Sequence, residues 1–339
     1  MDPEKAHSLG IQAMKMGLHP AHEISDPRLN VNLFGKTFSN PVGLSAGFDK
    51  NAEVIAPVLK MGFGFIETGG VTIEPQAGLP KPRIFRDPVN ECIINKMNFP
   101  NVGMKKFKNN IEKFRTSHPS PKGIVGIQIA MSSGQTEPEK DFKVLIKYLG
   151  PLADYIVFNV SCPNTPGLRN LQAPENLKPL LIEIKQERDK LKEKPPVLVK
   201  LSPDITPQEQ EDIAHVLKTE GIDGVILTNT TTTRPGILPQ DFANRQGGLS
   251  GTVLTEKSNE VTRNFYKLTK GQIPIIGVGG ISTAEEAYER IKSGASLIQL
   301  YTAMVYKGPD IAKDINEGLL KLLEKDGLKS IKDAVGKGH

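Results

Sequence analysis

Eight short apolar segments restrict the possible folds of this chain more than any other feature: residues 41–45, 64–68, 123–129, 155–160, 196–201, 224–228, 274–278 and 296–300. Each is rich in Val or Ile, or continuously apolar. A strand with one wet face alternates polar and apolar side chains, so an unbroken run marks a strand covered on both faces, as in a parallel sheet wrapped by helices. The amphipathic stretches 175–193, 206–219, 284–293 and 309–324 supply such helices. Eight parallel strands joined by helical crossovers can close on themselves, and the expected fold class is α/β, a (β/α)8 TIM barrel.

Two intervals exceed a bare crossover helix, 71–121 after the second strand and 230–272 after the sixth, and both are expected to hold insertions at the barrel mouth. The first carries a Pro-rich segment, 75–88, and the apolar run Glu91-Cys-Ile-Ile-Asn95, read as an extra hairpin. The second carries Gly247-Gly-Leu-Ser-Gly251, read as a flexible loop able to approach a ligand. Ahead of the barrel, Asp2-Pro3-Glu4 starts a helix with a carboxylate N-cap, proline at the first position and acid in the first turn. Ala6, Leu9, Ala13 and Met16 share one face of that helix, and Leu18-His-Pro20 ends it. Residues 1–30 are therefore expected to form an N-terminal amphipathic helical segment, and residues 31–339 the barrel.

The 339 residues suffice for one barrel with insertions, and 38% hydrophobic with 24% charged residues is the balance of a chain with a large core. The formal net charge of +5 is spread over helical lysines, which argues against nucleic acid as a partner. Cys92 and Cys162 are too few for a disulfide scaffold and lack metal-ligand spacing, so a reducing compartment and no metal are expected. No apolar run approaches the roughly 18 residues of a membrane span. Met1-Asp-Pro-Glu4 does not begin a signal peptide, and any membrane contact is expected to be peripheral.

Chemistry gathers at the carboxyl ends of the strands, where α/β barrels assemble their active sites. The fourth strand runs into Asn159-Val-Ser-Cys-Pro-Asn-Thr-Pro-Gly-Leu-Arg169, which combines amides, a thiol and a hinge-like Pro-Gly in one loop. A Cys-Pro turn on a buried strand end is the plainer account of the same residues. Ser45-Ala46-Gly47, Thr68-Gly69-Gly70 and Gly277-Val278-Gly279-Gly280 let backbone N–H groups approach a planar or phosphorylated ligand. The last of these opens a helix and, with Tyr301-Thr302 after the eighth strand, makes loops seven and eight a phosphate cradle. Lys200 interrupts an apolar strand and must face an anion or a polarised ring. Lys50 follows Asp49, a candidate local partner. Asn95, Asn159, Asn164 and Asn229 offer uncharged donors and acceptors to a substrate with carbonyl and ring N–H edges.

These residues resemble the dihydroorotate dehydrogenases, and more closely their membrane-associated, quinone-linked class 2. The resemblance is carried by Asn40-Pro-Val-Gly-Leu-Ser-Ala-Gly-Phe-Asp-Lys50, Met61-Gly-Phe-Gly-Phe65, Lys81-Pro-Arg-Ile-Phe-Arg86, Ser161-Cys-Pro-Asn-Thr-Pro-Gly-Leu-Arg169, Leu227-Thr-Asn-Thr-Thr231 and Gly294-Ala-Ser-Leu-Ile-Gln-Leu-Tyr-Thr302. It covers nearly the whole chain. It implies a flavoenzyme of pyrimidine biosynthesis that oxidises (S)-dihydroorotate to orotate, with FMN as cofactor and ubiquinone as acceptor. By the same resemblance Lys50, Asn95, Asn159, Asn164, Asn229 and Thr230 would bind substrate. FMN would lie against Ser45, Ala46, Gly47, Thr68, Gly69, Gly70, Gln128, Asn159, Lys200, Thr228, Ser250, Gly251, Val278, Gly279, Gly280, Tyr301 and Thr302. His7, Arg86 and Tyr301 would line a quinone tunnel. A mitochondrial inner-membrane home is implied, or the cytoplasmic side of a bacterial inner membrane, with peripheral contact through the N-terminal helix.

The chain departs from the family pattern in three places. Class 2 enzymes generally carry Ser where Cys162 stands, whereas class 1 enzymes carry Cys, so Cys162 is expected to be the catalytic base. A free thiol, with a pKa of about 8.5, is acidic enough to serve as a thiolate without a relay of waters. Ser161 is the alternative base, although strand alternation points it the other way. Gly126-Ile-Gln-Ile-Ala130 replaces an Asn-containing stretch and leaves Gln128 to reach the flavin. The family's quinone site is a two-helix hairpin of which the second helix is matched here, so small dyes are expected to outperform long-tailed quinone. Two competing readings are a soluble class 1-type enzyme using fumarate or NAD and a non-catalytic barrel for a phosphorylated ligand. The N-terminal helix and Thr165-Pro-Gly-Leu-Arg169 oppose the first, and Lys200 and Cys162 oppose the second.

Overall fold

The computed structural model describes residues 1–118, 123–165 and 167–338. At its centre eight parallel strands close into a barrel: Val42–Leu44, Phe65–Val71, Ile124–Ile129, Tyr155–Asn159, Val197–Leu201, Gly224–Leu227, Ile275–Val278 and Leu297–Leu300. They are strands one to eight below. Each pairs with its neighbours in sequence, and the eighth closes on the first with Ile298 beside Val42 and Leu300 beside Leu44. Every residue in all eight is buried, the condition that unbroken apolar runs meet. Strand two runs three residues beyond the expected 64–68. Its glycines pair with strand three through an irregularity between Gly69 and Val71 where a loop was expected.

Helices wrap the barrel where the sequence places them. Pro207–Glu220 begins with a capping box between Thr206 and Glu209, buries Ile213, Ala214 and Leu217, and ends at Gly221 in the left-handed region. Ala284–Lys292 repeats the device with Thr283 and Glu286. At the amino end of the barrel a hairpin, Val31–Leu33 with Lys36–Phe38, lays Phe38 edge-on against Phe65 at 5.3 Å between ring centroids and Phe34 near Tyr155 at 6.2 Å. That aromatic layer closes the amino end, so the barrel is open toward its carboxyl end.

The two insertions meet there as one antiparallel sheet of Ile84–Asp87, Cys92–Asn95 and Gly248–Gly251. The hairpin in the first insertion was expected. The glycine-rich segment of the second is a strand and not a flexible loop. A Cβ at Gly247 would lie 2.3 Å from the Asn95 carbonyl oxygen and one at Gly251 2.2 Å from that of Glu91, so glycine serves a close approach to the hairpin backbone.

The N-terminal helix spans Pro3–Lys15, with the Asp2 carboxylate accepting from the Lys5 N–H at 2.9 Å. It docks through Glu4, which receives Arg83 at 2.8 Å, and through Ile11 and Met14, which are buried. The face shared by Ala6, Leu9, Ala13 and Met16 is therefore not the docking edge. Ala6 and Ala13 are half-buried, whereas Leu9 and Met16 are 57% and 74% exposed. The Glu4–Arg83 bridge and the Ile11–Met14 edge face the barrel, and the longer apolar side chains stay outside.

Candidate active site

The carboxyl ends of the strands, the three-stranded sheet and the N-terminal helix enclose a cavity of about 950 Å³. This is near the upper end of the roughly 300–1,000 Å³ found for small-molecule sites. Among the site residues expected from sequence, Thr68 and the alternative base Ser161 do not line it; the Thr68 hydroxyl instead donates to the Gly126 carbonyl at 3.2 Å, behind the wall.

The floor is a polar layer built from inward-facing strand residues. Lys200 Nζ donates to Ser45 Oγ at 3.1 Å and lies 3.9 Å from a Glu67 oxygen. Asn159 Nδ2 donates to Gln128 Oε1 at 3.1 Å, while Asn159 Oδ1 accepts from the Ser161 N–H at 3.0 Å. Asn229 Nδ2 donates to Ser161 Oγ at 2.9 Å, and that hydroxyl donates to the Lys200 carbonyl at 2.8 Å. Ser161 is thus committed to holding the amides and is absent from the cavity lining, whereas Cys162 faces the cavity. Alternation past the strand end separates the two as expected.

Over the floor lies the loop that follows strand four. Asn164 Nδ2 donates to the Asn95 carbonyl at 3.2 Å and Thr165 Oγ1 to Asn98 Oδ1 at 2.6 Å, tying the loop to the hairpin. Arg169 reaches Asp204 at 3.2 Å, and Asp204 also takes Lys257 at 2.8 Å and the Thr232 N–H at 2.7 Å. The hinge-like Pro166 lies outside the described residues; Gly167 beside it has a φ of 75°.

Burial pushes the Cys162 thiol above its ordinary pKa, against the backbone N–H groups of Asn164 and Thr165 that favour the thiolate. The expectation of a readily formed thiolate is corrected on this point: the loop that presents the sulfur also dries it. Desolvation lowers the Lys50 ammonium to about 8. Its Nζ donates to the Gly47 carbonyl, while Asp49 accepts the N–H groups of Glu53 and Val54 at 2.8 Å each. Asp49 is thus a turn-capping carboxylate, itself raised to about 6 by burial, and the proposed Lys50–Asp49 pair does not form.

At the far end of the floor, Gly279 and Gly280 have φ of 105° and 70°, and a Cβ on Gly280 would lie 2.3 Å from the Thr255 nitrogen. Thr302 Oγ1 donates to Ser250 Oγ at 2.8 Å beside them, and a short helix, Thr302–Lys307, starts at this point. Toward the N-terminal helix, Tyr301 donates to the Gly47 carbonyl at 3.0 Å, its ring meets Phe48 at 5.9 Å, and Phe48 meets His7 at 5.2 Å. Burial and the nearby Lys50 charge lower His7 to about 4, which keeps it neutral. Arg86 donates to the Met1 carbonyl at 2.7 Å at the cavity's edge.

Sequence reasoning missed Glu67 and Gln299. Glu67 interrupts strand two just as Lys200 interrupts strand five, and that signal was available. No cluster of potential metal ligands and no helix long and apolar enough to cross a membrane occurs among the described residues.

Fold and cavity together define an α/β-barrel enzyme with its site at the carboxyl ends of the strands. A family model described as dihydroorotate dehydrogenase matches residues 28–323, and the chain belongs to that flavin-dependent family. It is 43% identical to the mitochondrial dihydroorotate dehydrogenase (quinone) of Mus musculus over 100% of this chain and 87% of the mouse protein. It is 46% identical to the dihydroorotate dehydrogenase (quinone) of Natronomonas pharaonis, covering 99% of this chain and 95% of that one. Among solved structures it is similar to the Eimeria tenella enzyme, at a TM-score of 0.97 and 39% identity for the ligand-free form, covering 100% of this chain and 99% of that one. The same enzyme in complex with ferulenol gives a TM-score of 0.96.

Proposed function

We propose that this chain oxidises (S)-dihydroorotate to orotate with FMN as cofactor and passes the electrons to ubiquinone. The observation that carries the reading is the convergence of Lys50, Cys162 and the amides of Asn95, Asn159, Asn164 and Asn229 on one cavity whose floor carries Lys200. The cavity fits FMN on three grounds. It has room for two stacked rings, a side-chain-free cradle at Gly279–Gly280 beside Thr302 for a phosphate, and a buried cation at Lys200 for the pyrimidine edge. When bound, FMN supplies a hydride acceptor at its nitrogen 5.

Lys50 takes the substrate carboxylate, a role suited to an ammonium already short of solvent. The four amides read the carbonyl and N–H edges of the ring and fix its plane. Cys162, as thiolate, removes the proton from carbon 5 while the hydride departs from carbon 6 on the other side. The loop tied down through Asn164, Thr165 and Arg169 excludes water during this step. Lys200 stabilises the negative charge that reduction brings to the pyrimidine edge.

On the acceptor side, His7, Phe48, Tyr301 and Arg86 line the passage from the floor to the N-terminal helix, which supports a quinone reading over discharge to fumarate or NAD. Leu9, Met16 and Leu18, at 57%, 74% and 67% exposed, would rest on the membrane surface that holds the quinone. That surface is the mitochondrial inner membrane or its bacterial counterpart. Residues 1–30 then serve the acceptor and residues 31–339 the flavin and substrate.

Anaerobic addition of dihydroorotate to the flavin-loaded protein tests the reading. Bleaching of the visible flavin band, restored by a ubiquinone analogue, is expected. A protein that cannot be loaded with FMN, or that stays yellow with dihydroorotate, contradicts it.

A further inference from the structure

The proposed reaction leaves one carboxylate in the cavity floor without a role. Glu67 is fully buried on strand two, and its oxygens are fixed from two sides. Oε1 accepts from Gln128 Nε2 on strand three at 2.7 Å and Oε2 from Gln299 Nε2 on strand eight at 2.8 Å. These amides satisfy lone pairs without cancelling charge. Across the barrel on strand five, Lys200 Nζ is 3.9 Å from Oε1 and donates to Ser45 Oγ. Gln128 also accepts from Asn159 Nδ2, so the carboxylate is held by the same net that holds the floor amides.

Each ion of this pair would be costly alone in a site without water, and each is bearable because the other faces it. Burial pushes the Lys200 ammonium toward losing its proton, and Glu67 pushes it back. Among the described residues Glu67 is the carboxylate within ion-pair range of Lys200, at 3.9 Å. Tyr155 on strand four, which faces Glu67, is held protonated by burial and by that same charge. Lys50 and Cys162 face the cavity from above the floor.

We propose that Glu67 is the fixed counter-charge that keeps Lys200 an ammonium beneath the flavin, and is thereby a positioning residue for the reduction potential of the cofactor. This inference rests on the FMN reading given above. The hydride leaving carbon 6 carries two electrons to the flavin, and the carbon 5 proton goes to Cys162. The negative charge left on the pyrimidine edge is balanced by Lys200 only while that side chain is protonated. Lys200 lines the cavity and Glu67 does not, so the cation, and not the carboxylate, would face a bound flavin.

The test is the midpoint potential of the bound flavin between about pH 6 and pH 10, equilibrated against reference dyes with no substrate present, in wild type, Glu67→Gln, Glu67→Asp and Lys200→Met. Wild type and Glu67→Asp are expected to follow unbroken lines. Glu67→Gln is expected to lie above wild type at the acid end, where Lys200 is charged and the carboxylate is gone. It then breaks downward, crosses wild type and settles between wild type and Lys200→Met, the variant that keeps the carboxylate without its cation. A Glu67→Gln line parallel to wild type over the whole range overturns the proposal. Should Glu67→Gln fail to fold, wild type decides: a downward break below about pH 8 means that Lys200 titrates despite Glu67 and overturns the proposal, and an unbroken line upholds it. Failure of the FMN reading is distinguishable, because wild type would then bind no FMN or would not bleach with dihydroorotate.

Discussion

The two walls of the cavity are built on different principles. The floor is made of strand residues: Ser45, Glu67, Gln128, Asn159, Lys200 and Gln299 project from or end buried barrel strands and hold one another through side-chain hydrogen bonds. The roof is made of inserted segments and loops, held by Asn164 on Asn95, Thr165 on Asn98 and Arg169 on Asp204. Floor groups therefore sit in a rigid frame suited to tuning a cofactor. Roof groups sit on segments joined by a few side-chain contacts, and the thiol assigned to proton removal belongs to the roof.

The sharpest way to break that division is to remove the roof's one reactive group. Cys162→Ala is expected to lower kcat about 10²–10⁴-fold, the usual weight of a general base, with flavin content unchanged. Cys162→Ser should retain part of the rate. Loss of flavin along with turnover would mean that the roof also holds the cofactor. Next in size, Lys50→Met removes a charge-assisted hydrogen bond of about 1.5–3 kcal/mol, and the KM for dihydroorotate should rise roughly 10- to 150-fold while the flavin spectrum stays as it was.

Asp204→Ala frees Arg169, Lys257 and Thr232 together. Burial works against the Asp204 charge, but the hydrogen bonds from Lys257 and Thr231 hold its carboxyl well below the usual range, so the hub is ionised at every working pH. Its loss is expected to cut kcat about tenfold through a looser roof, and faster tryptic cleavage at Arg169 would accompany it. An unchanged rate would show that Asn164 and Thr165 suffice as anchors. Smallest of all, Leu9→Ser with Met16→Ser should weaken binding to anionic vesicles several-fold and leave turnover with a soluble dye unaltered.

The same division decided what the sequence could reveal. Barrel strands declare themselves because burial on both faces forces unbroken Val- and Ile-rich runs, and seven of the eight segments fall within about two residues of their observed ends. Lys200 was legible as a charge in such a run. Glu67 carried the same mark in Phe65-Ile-Glu-Thr-Gly69, masked by the glycines that follow it and read as the strand's end.

The roof was less legible, because its structure comes from contacts between distant segments. Nothing local in Gly247-Gly-Leu-Ser-Gly251 says that it will pair with Cys92–Asn95, more than 150 positions earlier. The N-terminal helix was found from its cap and its proline, and the edge it buries, Ile11 and Met14, lies outside the apolar face that periodicity singles out. The Glu4–Arg83 ion pair on the docked side is invisible to a helical wheel. Cys162 was found by its motif, but its acidity was misjudged, since a free-thiol value says nothing of the burial that the roof imposes.

The central claim is that a buried thiol in the roof takes the carbon 5 proton while the substrate's hydride passes to a cofactor on the floor. The most direct test is the rate of anaerobic flavin bleaching by saturating dihydroorotate, followed by stopped flow from about pH 6 to pH 10 in wild type and Cys162→Ala. The competent form is the thiolate, and burial raises the pKa of Cys162. The rate should therefore climb about tenfold per pH unit and still be climbing past about pH 9, while Cys162→Ala stays slow and flat. A wild-type rate that levels off near neutrality, or a Cys162→Ala rate that tracks wild type, would contradict the account.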